Sequence, residues 1–410
     1  MHRKLNNMNI QTENHHFANR VQNVPSSFIR EILKVASNPN IVSFAGGLPN
    51  PTLFPIKELE ESAARVFKEK GMLALQYAAT EGFLPLREFI ADRYKHRYNL
   101  DISANQILIT NGSQQALDLI GKLFINEGDT VLLERPSYLG ALQCLSMFQP
   151  RFAEVNLEPD GINTDELELQ LQQDVAKLFY CIPNFQNPTG IQYSLEKREE
   201  VARILGNYQT IIIEDDPYGE ISFSGKYIPP LYAYLPEQTI LLGSFSKTIA
   251  PGLRLGWMVA NPEIIKRATI IKQASDLHSG NLTQYILQDY LTHNNLDSHI
   301  RNIQSAYKKQ CDVMLECLKN EFPKDVSFTE SKGGMFTWLT LPEGFSSRDL
   351  LQKALENNII FVPGDTFYAC KPDFRTLRLN YSNVEEKAIR KAMKKLGGLI
   401  KRYDISEVLS

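Results

Sequence analysis

Most of the features that mark specialised protein classes are absent from this chain. Its five cysteines (Cys144, Cys181, Cys311, Cys317 and Cys370) form no C-x-x-C pair, so neither a disulfide framework nor a zinc site organises the fold. They read as ordinary reduced thiols of a cytoplasmic protein. Seven histidines show no metal-ligand spacing, and no metal is expected. No apolar run approaches the length of a membrane span, and the opening MHRKLNNMNI lacks the apolar stretch of a signal peptide. Excess charge of either sign is also missing. A formal net charge of -3 gives no electrostatic case for nucleic acid or for an anionic membrane. Internal repeats and low-complexity linkers are absent too, leaving a long chain able to bury a large core and form two domains.

Against this plain background one stretch stands out, GSFSKTIAPGLRLGW from Gly243 to Trp257. A lysine beside serines is most often a solvated loop. Here Leu241 and Leu242 lead in, and Pro251-Gly252 forces a turn. Leu253, Leu255 and Trp257 then alternate with Arg254 and Gly256 as in a half-buried strand. Lys247 and Arg254 are thereby held on an apolar frame, with Ser244 and Ser246 beside them. A lysine whose pKa is lowered by desolvation and neighbouring cations forms an imine with a carbonyl. Two serines and an arginine suit a phosphate. An aldehyde carrying a phosphate is pyridoxal 5'-phosphate.

Further along the chain, short strands and helices alternate from Gln106 to Ile213, which implies a mostly parallel sheet with sites at the carboxyl ends of its strands. Asn111-Gly112-Ser113-Gln114 follows one strand; Ser113 reads either as a helix cap or, with Gln114, as part of an anion site at a helix N-terminus. Tyr138 follows the next strand, where an aromatic can stack on a pyridine ring. Asn187 lies in QNPTG, a plain turn on residue type alone. Asp215 and Tyr218 lie in EDDPY, after Ile211-Ile212-Ile213. A buried acid needs a partner to stay charged; a protonated pyridine nitrogen is one, and Asp216 is the rival candidate. Near the C-terminus Thr376 to Tyr381 alternates, with Arg378 reading as an edge arginine facing solvent.

Ser-x-Ser-Lys followed by Pro-Gly-x-Arg-x-Gly-Trp resembles the cofactor-lysine segment of fold-type I pyridoxal-phosphate enzymes, the class I/II aminotransferases. The 2-aminoadipate and kynurenine aminotransferases are the most similar subgroup, with the aminotransferase-like domain of MocR-type regulators close by. The resemblance runs from about Val24 onward. It implies an α/β fold: a large domain over 56–295, with a mostly parallel, seven-stranded-type sheet flanked by helices. A smaller α/β domain is implied over 296–410, joined by segment 24–55. Residues 1–23 read as a polar tail, too short for the winged helix of a regulator. NPTG makes Asn187 a cofactor contact with Tyr218, and the Asp-x-x-Tyr spacing selects Asp215 over Asp216. RLNYS makes Arg378 the ligand of the substrate α-carboxylate. Gly47 in AGGLPNP and Arg30 in the N-terminal segment would contact substrate. Tyr77 would reach the cofactor phosphate of a second subunit in a homodimer. The expected activity is amino transfer between an α-amino acid and a 2-oxo acid. A β-lyase, a decarboxylase or a non-catalytic cofactor sensor are the alternatives on the same motif.

Overall fold

The computed structural model describes residues 18–22, 38 and 40–402. The chain enters through a two-residue strand, β1 (Val42–Ser43), and two long helices, Ile56–Ala74 and Leu84–Tyr98. It then builds β2 (Ile107–Thr110), β3 (Thr130–Arg135), β4 (Arg151–Glu158), β5 (Gly161–Ile162), β6 (Ala176–Cys181), β7 (Ile211–Asp215), β8 (Thr239–Ser244) and β9 (Gly256–Val259). These form one eight-stranded sheet in the order β2-β9-β8-β7-β6-β3-β4-β5. The strand beyond the expected seven is β5, a two-residue hairpin partner of β4.

The five strands from β8 to β4 are parallel. Four of them, β8, β7, β6 and β3, are largely buried and carry near-continuous apolar runs such as Ile211-Ile212-Ile213, as strands covered by helices on both sides must, whereas β4 is mostly half-exposed. β9 runs against β8 and β2 against β9, so β2 points the same way as β8. The carboxyl ends of β2, β3, β6, β7 and β8 therefore meet along one edge, where ligands bind in such sheets. Helix starts are set locally. Asn163, Ser194, Asn295 and Ser346 each accept a backbone N–H of the first turn, satisfying groups a helix leaves open.

A second, antiparallel sheet contains β10 (Ser327–Phe328), β11 (Phe336–Thr340), β13 (Val362–Pro363) and β14 (Thr376–Asn380), in the order β10-β11-β14-β13. β12 (Ile359–Ile360) pairs instead with β1. Helix Glu386–Lys401 buries Ile389, Met393, Leu396 and Ile400 at helical spacing and packs chiefly against helix Leu296–Glu321. One apolar cluster links both sheets, running from Phe44 and Leu117 through Ile213 to Leu339 and Leu377.

Two local expectations are corrected. The strand after Pro251 starts only at Gly256 and is buried on both faces, because Pro251–Leu253 is a 3-10 turn and Arg254 adopts φ 53. Of the two readings of Arg378, the solvent-facing edge residue that its residue type and alternation allow is the one the fold removes. β14 lies between β11 and β13, and Arg378 is 3% exposed.

Candidate active site

A cavity of about 380 Å³ opens at the carboxyl edge of the large sheet, against β1 and β14. Its lining brings together Lys247, Asp215, Tyr218, Ser113, Gln114, Tyr138, Asn187, Ser244, Ser246, Arg254, Arg378 and Gly47. Two candidates lie elsewhere. Tyr77 is 78% exposed, edge-on to His278 and outside the cavity wall. Arg30 lies outside the described residues.

Lys247 follows β8, and its Nζ donates to the Gly47 carbonyl at 2.8 Å. Burial, then the positive fields of Arg378 and Arg254, lower its pKa to about 8. The same cavity is lined by Asp215, the last residue of β7, pushed up to about 7 chiefly by burial. One carboxylate oxygen, Oδ2, accepts from the Tyr180 hydroxyl at 2.9 Å. The other, Oδ1, is buried with no partner among the described residues. Asp216 points away: it accepts from Asn184 Nδ2 at 3.0 Å and from the Gly219 N–H at 2.8 Å. The choice between the two acids is thus made by strand pleat.

Arg378 reaches in from the second sheet. It donates to Asn187 Oδ1 at 2.8 Å and to the Ala45 carbonyl at 2.7 Å, and it stacks over Phe336 at 4.4 Å. A guanidinium has five N–H groups, so donors remain for an incoming carboxylate. Asn187 also donates to the Tyr218 hydroxyl at 3.3 Å. Burial lowers Arg378 to about 10 and raises Tyr218.

Ser113, considered as a possible cap, is instead the first residue of helix Ser113–Phe124, and Gly112 holds the cap position. Its hydroxyl is buried and without a partner among the described residues. Gly112 has φ 79, and a Cβ there would lie 2.8 Å from Arg254 Nη2. Only glycine allows both this backbone and that approach. Arg254 in turn donates to the Asn111 carbonyl at 3.0 Å. The helix start is clamped from behind, since Asn111 and Gln115 both donate to Asp276. An orphan hydroxyl, a helix N-terminus and a strained arginine converge, as a phosphate requires.

Residue types alone did not single out Gly140, Ile182 or Tyr180. Gly140 and Ile182 line the cavity, and a Cβ on Gly140 would fall 2.5 Å from the Tyr138 ring. Tyr180 carries a hydroxyl among the apolar residues that follow Lys177 in β6, the one available cue; its target depends on strand register.

A desolvated lysine amine, a buried acid in the same cavity lining with one unpartnered oxygen, and an anion cradle define an enzyme of the fold-type I pyridoxal-phosphate transferases. Residues 47–396 match the family model described as aminotransferase class I and II. The chain is similar to aromatic-amino-acid aminotransferase 1 of Thermococcus litoralis, 40% identical over 94% of each chain. It is also similar to the 2-aminoadipate transaminase of Thermus thermophilus, 41% identical over 94% of this chain and 95% of that one. A crystal structure of α-aminoadipate aminotransferase from Thermus thermophilus, complexed with N-(5'-phosphopyridoxyl)-L-leucine, superposes with TM-score 0.88 and 39% identity. That match covers 96% of this chain and 98% of the other. The chain belongs to the class I and II aminotransferases.

Proposed function

We propose that this aminotransferase moves the amino group of 2-aminoadipate, aromatic or branched-chain amino acids to a 2-oxo acid such as 2-oxoglutarate, using pyridoxal 5'-phosphate. The observation that carries the reading is the presence, in one cavity lining, of Lys247 with its lowered pKa and Asp215 with one unpartnered buried oxygen. The site fits the cofactor at both ends. Ser113, Gln114, Ser244, Ser246 and Arg254 would hold its phosphate, and Asp215 Oδ1 its ring N–H. Tyr138 would flank the ring face, while Asn187 and Tyr218 would hold its phenolic oxygen. Once bound, the cofactor supplies a carbonyl for amines and a ring that takes up the electron pair left at the substrate Cα.

The chain supplies the rest. Arg378 binds the α-carboxylate through a bidentate pair and orients the Cα–H bond. Lys247 Nζ would accept the Cα proton and return it to the cofactor carbon on the other side of the transferred nitrogen, two bonds away. Asp215 holds the ring-nitrogen proton, so the electron sink persists. Side-chain choice falls to Gly47 and to the N-terminal segment carrying Arg30. The substrates for which the relatives are named, aminoadipate and aromatic amino acids, and the leucine adduct in the crystal structure support tolerance of acidic and apolar donors alike. A donor panel with 2-oxoglutarate tests this. Acceptor-dependent turnover of both 2-aminoadipate and leucine is expected, with glutamate as co-product. Ammonia or carbon dioxide released without an acceptor would assign a lyase or decarboxylase instead.

Assembly belongs to the same proposal. Phe67, Met72, Leu73, Leu75 and Tyr77 leave an exposed apolar strip at the end of helix Ile56–Ala74, with Met72 92% exposed. Such a strip marks an interaction surface, and we assign it to a second copy whose phosphate site Tyr77 completes. Tyr77→Phe is expected to weaken cofactor retention while leaving donor choice unchanged. An active monomer in sedimentation would overturn the assignment. No helix among the described residues is long and apolar enough to cross a membrane. The free cysteines suit the reducing cytoplasm, where we place the protein.

A further inference from the structure

Beneath the cavity floor lies a hydroxyl that the reaction outlined above does not use. Tyr180 is fully buried on β6. The parallel register pairs it with Ile213 of β7, so it shares a sheet face with Asp215, two residues further on. Its hydroxyl donates to Asp215 Oδ2 at 2.9 Å, while Oδ1 keeps no partner among the described residues. Burial, then the charge of Asp215, raises the Tyr180 pKa far above the tyrosine range, so this hydroxyl stays protonated and donates.

We propose that Tyr180 is a positioning residue that occupies one oxygen of Asp215, keeps the carboxylate ionised and leaves Oδ1 as the acceptor for the cofactor ring nitrogen. The proposal rests on the reading of Asp215 given above. Its physical basis is the cost of a bare anion in the core. A buried carboxylate that loses a donor shifts toward its protonated form, and a protonated Asp215 no longer holds a ring N–H as an anion. The ring then carries less positive charge and withdraws electrons from the substrate less strongly.

Tyr180→Phe removes the hydroxyl and keeps the ring. The test is nitrogen NMR of the protein loaded with isotope-labelled cofactor, together with the cofactor dissociation constant. The ring-nitrogen signal is expected to move toward the unprotonated form. Hydrogen bonds to charged groups lead to an expected loss of cofactor affinity of about 10–100-fold. The turnover number should fall while the KM for the amino donor, set by Arg378, stays within about twofold. Tyr193→Phe is the control. Its hydroxyl, equally buried, donates to Glu134 at 2.7 Å and should leave the ring-nitrogen signal unmoved. A wild-type signal in Tyr180→Phe, or an equal displacement in Tyr193→Phe, overturns the proposal. Asp215→Asn separates the two levels: if that variant also keeps the wild-type signal, the pairing of Asp215 with the ring fails; if it alone moves the signal, only the role of Tyr180 fails.

Discussion

Lys247→Ala is expected to hold cofactor and amino acid together yet lose nearly all turnover, because the group that moves the Cα proton is gone. Positioned acid–base groups contribute about 10²–10⁴-fold, and the variant should fall by at least that much. The site is built to make this amine reactive. With a pKa of about 8, roughly a tenth of it is neutral at pH 7, against well under a thousandth for an ordinary lysine. Borohydride reduction of the wild-type protein should fix the cofactor on a peptide containing Lys247. Label on another lysine would end the assignment. The lowered pKa also sets a pH dependence. Capture of cofactor by the cofactor-free protein should accelerate as pH rises through about 8. Between about 8 and the ordinary lysine value near 10.4, the unfolded chain holds the proton that the folded chain has lost. Stability should therefore rise with pH across that window, and Lys247→Ala should flatten the rise.

Asp215→Asn is the second large effect. The amide keeps the shape but brings no negative charge to the ring nitrogen, so a buried ion pair loses its anion. Breaking such pairs costs about 3–5 kcal/mol, which, if lost from the transition state, corresponds to a fall of about 10²–10⁴-fold in the first half-reaction, read by stopped-flow absorbance. A loss of less than about tenfold would remove Asp215 from that role. The cofactor-free protein should respond in the opposite sense. Burial raises Asp215 to about 7, above its unfolded value near 3.9, so folding is progressively disfavoured as pH rises from about 4 to 7. Without that group the empty variant should melt higher than the empty wild type at and above neutral pH. Thermal denaturation of both, before and after loading, checks the reversal.

Much of this was legible along the chain because the chemistry is concentrated in short segments. Ser244, Ser246, Lys247 and Arg254 lie within one turn-containing run, and the apolar residues around it announce that the run is not solvated. Asp215 could be located at a strand end because Ile211-Ile212-Ile213 has the composition of a buried parallel strand. The family motif separated it from Asp216, and the fold shows the physical reason: one of two consecutive side chains faces the cavity, and the other is bound by Asn184 and Gly219.

Other features depend on contacts that no local pattern encodes. Arg378 alternates with apolar neighbours just as a solvent-facing edge residue would. Only the placement of β14 between β11 and β13 buries it against Phe336 and Asn187. Tyr180 meets Asp215 because β6 and β7 pair in one register, and a slip of one residue would send its hydroxyl to the other face. The Gly112 requirement likewise comes from Arg254, far away in sequence but 2.8 Å from where a Cβ would lie. Residue type and spacing by themselves singled out Lys247, the neighbouring Ser244, Ser246 and Arg254 proposed to hold a phosphate, and the alternating α/β build, since local periodicity and turn chemistry encode these. Tertiary structure alone decided which donors the buried acid receives, how Arg378 is buried against Phe336 and Asn187, and how the lysine is desolvated. Those are properties of strand order and register, which bring together groups hundreds of residues apart.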